Sequence, residues 1–202
     1  MIYETLLGKN FNRLHPKLQE RYRLPLGQPF HAQGTMQVIH SGPRFLRPMY
    51  HLFTKTDFLF PENGEEIPFT ITNTARLNNE KEAEVYWERT FLFPQATRKF
   101  NATMTVDLER QIVKDYLGNP ALFYSDLKMD VTNDGSLMIR SADQRAVIGQ
   151  TEVALPKKLT GRVVVTEGYD NVLDVYTIHV SIYNDLIGRM MMYAGQFTPC
   201  AQ

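Results

Sequence analysis

The chain has 202 residues and a mass of 23.4 kDa, with 22 Lys+Arg balanced by 22 Asp+Glu. Apolar residues make up 43% and charged residues 22%, a globular composition that excludes a disordered chain and offers no basic excess for general nucleic-acid binding. No apolar run reaches the ~18 residues of a helical membrane span, and Cys200 stands alone, so no internal disulfide framework exists.

Residues 2–24 are the clearest helical segment. Phe11, Leu14, Leu18 and Tyr22 recur at three- and four-residue intervals, the spacing of one helix face. Gly8 and Pro16 divide the segment into two short helices, with Pro16 suited to a first helical position because its missing N–H costs nothing there. Pro25, Gly27 and Pro29 end it. From Gln33 the period becomes two, with Met36, Val38 and His40 on one face. Gly42-Pro43 stops that strand, and Phe45, Met49, Leu52 and Phe53 predict one more short helix that Pro48 begins or kinks. Further strands are expected at 67–77, 83–93, 97–108, 111–117, 121–131, 136–148, 161–168, 172–183 and 189–198. They are joined by turns such as Asn78-Asn79, Pro94-Gln95 and Asn133-Asp134-Gly135. Connections this short imply antiparallel neighbours, and strands this long curve. The expected fold is mainly β (α+β by count), a long antiparallel meander bent into a calycin-like barrel or half-barrel. We expect one domain over 1–202: a helical cap over 1–30, the sheet over 33–200 and a short helix near 43–55.

Alternation also shows which polar residues share a face with apolar ones. One face of 85–93 reads Val85, Trp87, Arg89, Phe91 and Phe93; one face of 163–169 reads Val163, Val165, Glu167 and Tyr169. A third face reads Ile71, Asn73, Ala75 and Leu77. Buried charges persist when paired, so Arg89 and Glu167 are expected to meet inside the sheet with His40 and Asn73 nearby. A site with a few convergent polar groups on an apolar wall and a closed salt bridge that fixes register both satisfy this pattern.

Catalytic motifs are missing: no G-x-S-x-G, Walker loop, G-x-G-x-x-G or H-E-x-x-H occurs. His15, His31, His40, His51 and His179 have no metal-ligand spacing, and no metal is expected. Asp130–Gly135 resembles the start of a calcium loop but has Ser141 where a bidentate Glu would stand, so a hairpin turn is the reading.

The stretches Phe60-Pro-Glu62 through Ile67-Pro-Phe69, Trp87-Glu-Arg-Thr-Phe91, Asp115-Tyr-Leu-Gly118, Arg140-Ser141 and Tyr193-Ala-Gly-Gln-Phe197 resemble an uncharacterised bacterial family, domain of unknown function 4166. The opening Ile2-Tyr-Glu-Thr-Leu-Leu-Gly8 and Leu14-His-Pro-Lys-Leu18 are similar to its start. The resemblance implies a stand-alone protein or a module beside a dehydrogenase-like partner, because similar domains occur fused behind nucleotide-binding domains. It transfers no catalytic residue, NAD(P) site or other cofactor.

Three functions fit these residues. The first is a non-enzymatic module holding a small, largely apolar or acidic ligand, oriented by Arg89, Glu167, His40, Asn73, Trp87 and Tyr193. The second is a hydrolase or isomerase using Glu167 in the same cavity. The third is a structural or partner-binding domain with a filled core. Neither nucleic acid nor a membrane span is expected, and a cytoplasmic location follows from the lone cysteine and an N-terminus without signal-peptide character.

Overall fold

The computed structural model describes residues 2–200; Met1, Ala201 and Gln202, at the ends of the expected domain, lie outside the described residues. Twelve strands run in chain order: β1 (Phe30–Ser41), β2 (Gly64–Leu77), β3 (Ala83–Phe93), β4 (Ala96–Lys99), β5 (Ala102–Asp107), β6 (Ile112–Gly118), β7 (Ala121–Val131), β8 (Leu137–Ile148), β9 (Thr151–Ala154), β10 (Arg162–Asp170), β11 (Val175–Asn184) and β12 (Gly188–Pro199). Three short α-helices accompany them: α1 (Ile2–Leu7), α2 (Pro16–Arg23) and α3 (Arg47–Phe53).

Ten of the strands close into an antiparallel barrel in the order β1, β2, β3, β5, β6, β7, β8, β10, β11, β12 and back to β1. The turn-rich, period-two sequence specifies this meander because each strand pairs with the nearest neighbour it can reach. β4 and β9 stand outside the ring, β4 folded back on β3 and β9 on β8. The single strand expected over 97–108 is therefore two. It breaks at Phe100 and Asn101, whose backbone N–H groups donate to the carbonyls of Arg89 and Asp57 at 2.9 and 2.8 Å.

Closure demands sharp coiling, and two glycines permit it where β1 crosses β12. A Cβ on Gly34 would stand 2.0 Å from the Gln196 carbonyl oxygen, and one on Gly195 would stand 2.3 Å from that of Thr35. Beside them the β1–β12 register shifts between Met36 and Val38. This bulge overturns the expected face of β1. Met36 and Ile39 enter the core, Val38 is half-buried and His40 points to solvent.

One end of the barrel is stoppered by the N-terminal helices. Tyr3, Leu7, Phe11, Leu14, Leu18 and Tyr22 are all buried against it, as the helical spacing of the last four predicts. Pro16 does begin α2, and the preceding His15 side chain accepts a hydrogen bond from the Lys17 N–H at 3.2 Å. The other end carries the β1–β2 connection with α3, the 149–161 segment and the β11–β12 turn. Among the described residues no helix is long and apolar enough to cross a membrane.

Candidate functional site

Between the stoppered end and α3 lies a cavity of about 410 Å³, within the usual range for small-molecule sites. Its wall is mainly apolar. Leu117, Phe123, Leu127, Ile139, Val165 and Val180 stand at inward positions of five strands. No side chain of α1 or α2 lines it; Trp87, Met104, Arg89 and Glu167 mark its inner end, and Leu46, Met49, Phe53, Leu159, Ile187 and Met190 mark the other. Leu159 lines the cavity while remaining largely solvent-exposed, which places the mouth at this end.

The mouth lies beside one of the short seams of the barrel. β8 and β10 share four register pairs, Glu167↔Leu137 through Val164↔Arg140, and then diverge. Side chains replace the missing ladder. Gln144 Nε2 donates to the Gly161 carbonyl at 2.6 Å, Gln144 Oε1 accepts from the Gly161 N–H at 2.8 Å, and Ser141 Oγ accepts from the Val163 N–H at 2.8 Å. These bonds satisfy backbone groups that would otherwise be orphaned.

Arg89 and Glu167 both face the interior and both line the cavity, as alternation predicts, but they do not pair. Glu167, fully buried, is claimed by α2. Arg21 forms an ion pair with its Oε2 and donates through Nη2 to Oε1 at 3.4 Å, and the Tyr22 hydroxyl donates to Oε2 at 2.7 Å. The Arg21 guanidinium also sits 4.9 Å from the Phe197 ring centroid and 5.4 Å from that of Trp87. Burial opposes its charge, yet Glu167 with Tyr22 overrides burial and raises its pKa. Burial, then Glu167, raises the Tyr22 hydroxyl well above its ordinary value. This is a clamp that fastens α2 to the barrel.

Arg89 is braced differently. Its Nε donates to the Phe100 carbonyl at 2.8 Å, its Nη1 to the Tyr193 hydroxyl at 3.0 Å, and its guanidinium lies 4.2 Å from the Phe100 ring centroid. The acid that shares its field is Asp115 on β6. Asp115 is 5% exposed and lines the cavity, and its Oδ1 has no hydrogen-bond partner among the described residues. Burial pushes its carboxyl up to about 7, against the pull of the Arg89 charge.

The remaining expected residues divide. Trp87 lines the cavity and donates from Nε1 to the Tyr3 hydroxyl at 2.7 Å. Tyr193 and Asn73 are buried beside the site and act through the two arginines, Asn73 accepting from Arg21 Nη2 at 3.5 Å. His40 is outside altogether. Sequence reasoning missed Arg21 and Asp115, although both carry its own signals. Arg21 lies three residues after Leu18 on the buried face of α2, and Asp115 alternates with Val113 and Leu117 on β6.

A family model described as "Domain of unknown function (DUF4166)" matches residues 14–197. "Uncharacterized protein YndH" of Bacillus subtilis (strain 168) is 37% identical over 196 residues, which cover 97% of this chain and 95% of that protein.

Proposed function

We propose that this chain, which belongs to the DUF4166 family, is a binding protein for a small, largely apolar molecule that carries one hydrogen-bond donor. The observation that carries the reading is Asp115. A carboxylate inside an apolar cavity, with one oxygen lacking a partner among the described residues, is costly unless something supplies a proton or a donor. A ligand hydroxyl or N–H would supply it, while the chain of the ligand would replace water along the apolar wall. Arg89 would accept no more than a share of an acidic head group, because above pH 7 such a head would also meet the Asp115 charge. A neutral donor is therefore favoured over the acid that Arg89 alone would suggest. A cytoplasmic setting accords with the one unpaired thiol, Cys200.

The test is a fluorescence titration with N-phenyl-1-naphthylamine, an apolar probe with a single N–H. Saturable one-to-one binding is expected. Val180→Trp, which projects an indole into the cavity from β11, should weaken it by at least about tenfold without loss of folding. Undiminished binding by that variant would place the probe elsewhere and refute the reading.

One observation favours a second reading. A carboxyl that burial pushes up to about 7 in a pocket with a mainly apolar wall is suited to proton transfer, so acid–base chemistry, if present, belongs to Asp115. Glu167, held by Arg21 and Tyr22, is not free for it.

A further inference from the structure

The cavity mouth is edged by a surface the barrel does not use. Phe45 is 69% exposed, Leu52 60%, Leu159 62% and Leu186 70%. Each is, or directly precedes in sequence, a residue that lines the cavity: Leu46, Phe53, Leu159 and Ile187. The three segments are held together there, since the Tyr50 hydroxyl of α3 donates to the Met190 carbonyl at 2.7 Å and Asn184 Nδ2 donates to the carbonyls of Lys158 and Thr160 at 2.9 and 2.8 Å.

Charge separates this apolar rim from ordinary surface. Arg44, Arg47, Lys55, Lys157, Lys158 and Arg189 stand in or beside the same segments, and among the described residues none of them has an ion-pair partner. Several acids of this end are engaged, Glu62 with Arg98, Glu152 with Arg145 and Asp185 with Arg162, while Asp57 accepts from Asn101 Nδ2 at 3.0 Å. Asp143, exposed on β8 beside Gln144, has no ion-pair partner among the described residues and offsets one of the six cations. Glu65 and Glu66, exposed at the start of β2, limit the positive potential. The opposite end also exposes apolar side chains, Leu77, Leu108, Val172 and Leu173, but they stand among Glu80, Glu82, Glu109, Asp170 and Asp174.

We infer that the mouth end docks on the surface of an anionic phospholipid bilayer, with Phe45, Leu52, Leu159 and Leu186 entering the interface and the six cations meeting lipid phosphates. In that orientation the cavity opens onto the acyl region, and an apolar molecule passes between bilayer and barrel without crossing water. The inference rests on the preceding reading for what passes through the mouth, but the surface stands on its own residues.

Sedimentation with vesicles of phosphatidylcholine, with and without phosphatidylglycerol, tests it on the intact chain. Partition onto the anionic vesicles is expected to exceed that onto neutral ones by more than about tenfold and to fall in high salt. Lys157→Glu/Lys158→Glu should weaken it by at least about 25-fold, taking about fivefold for each cation lost. Phe45→Ser/Leu186→Ser should also release the protein. Neither pair lines the cavity, so naphthylamine binding in vesicle-free buffer should stay at the parent value in both. Protein that stays in the supernatant with both vesicle types, or variants that pellet like the parent, would overturn docking. So would a dimer in solution that these substitutions dissociate, since the face would then be covered by a second copy. Loss of probe binding with docking retained would instead strike the cavity reading.

Discussion

Replacing Arg21 by methionine is expected to lower the unfolding free energy by about 3–5 kcal/mol, because Glu167 is left fully buried without its counter-ion. Methionine keeps much of the arginine stem's volume among Phe30, Trp87 and Phe197, so the loss reports the charge and not a cavity. Urea titration followed by the fluorescence of Trp87, the one tryptophan of the chain, reads the change directly. Adding Glu167→Gln should restore most of the loss, since the pair would then be removed together. Two single variants within about 1 kcal/mol of the parent would show that Arg21 and Glu167 do not clamp α2 to the barrel.

Asp115→Asn is expected to act in the opposite direction at neutral and higher pH. An aspartate that titrates near 4 when unfolded and at about 7 when folded keeps its proton in the native state alone across that interval. The stability it contributes is fully present below about pH 4 and is lost as pH rises through about 7. At 1.36 kcal/mol per pH unit the loss amounts to about 4 kcal/mol. The variant has no such term. It should match the parent near pH 4 and exceed it in stability at pH 8, and the difference between the two curves should change between those values. Hydrogen bonding holds the Asp134 and Glu152 carboxyls below their ordinary values, a contribution common to both proteins that cancels in the difference. A flat difference curve would mean that Asp115 is solvated. Ligand affinity should move the other way: the more stable variant binds less tightly, because the unpartnered carboxylate oxygen is the feature the ligand satisfies.

The barrel was legible because its determinants are local. Turn residues and period-two alternation located the edges of β3, β6, β7 and β8 closely, and short connections forced an antiparallel order. What escaped is non-local or breaks the period. The β1 bulge between Met36 and Val38 exchanges the faces of everything after it, so His40 was assigned inward. The 97–108 segment breaks because Phe100 and Asn101 bond to Arg89 and Asp57, which no periodicity in that segment records. β9 has too few residues to show a pattern.

At the site, alternation places Arg89, Glu167, Trp87 and Asn73 in the interior, yet the expected pairing of Arg89 with Glu167 does not form. Pairing two buried charges across strands ignored the helix that stoppers the barrel, whose Arg21 reaches in from 146 residues away. With Glu167 neutralised by Arg21, Asp115 is left as a buried acid with one oxygen lacking a hydrogen-bond partner among the described residues, and the proposed ligand contact lies on the β3–β6 side of the barrel.

The claim that Asp115 seeks a donor on an apolar ligand is tested most directly by two molecules that differ in that group alone. Displacement of bound N-phenyl-1-naphthylamine by 1-decanol and by 1-methoxydecane should be compared near pH 8.5, where Asp115 is ionised. The account predicts that the alcohol displaces the probe at concentrations about 5- to 150-fold lower than the ether, the factor equivalent to about 1–3 kcal/mol for leaving a buried acceptor unsatisfied. Equal potency, or a stronger ether, would contradict it.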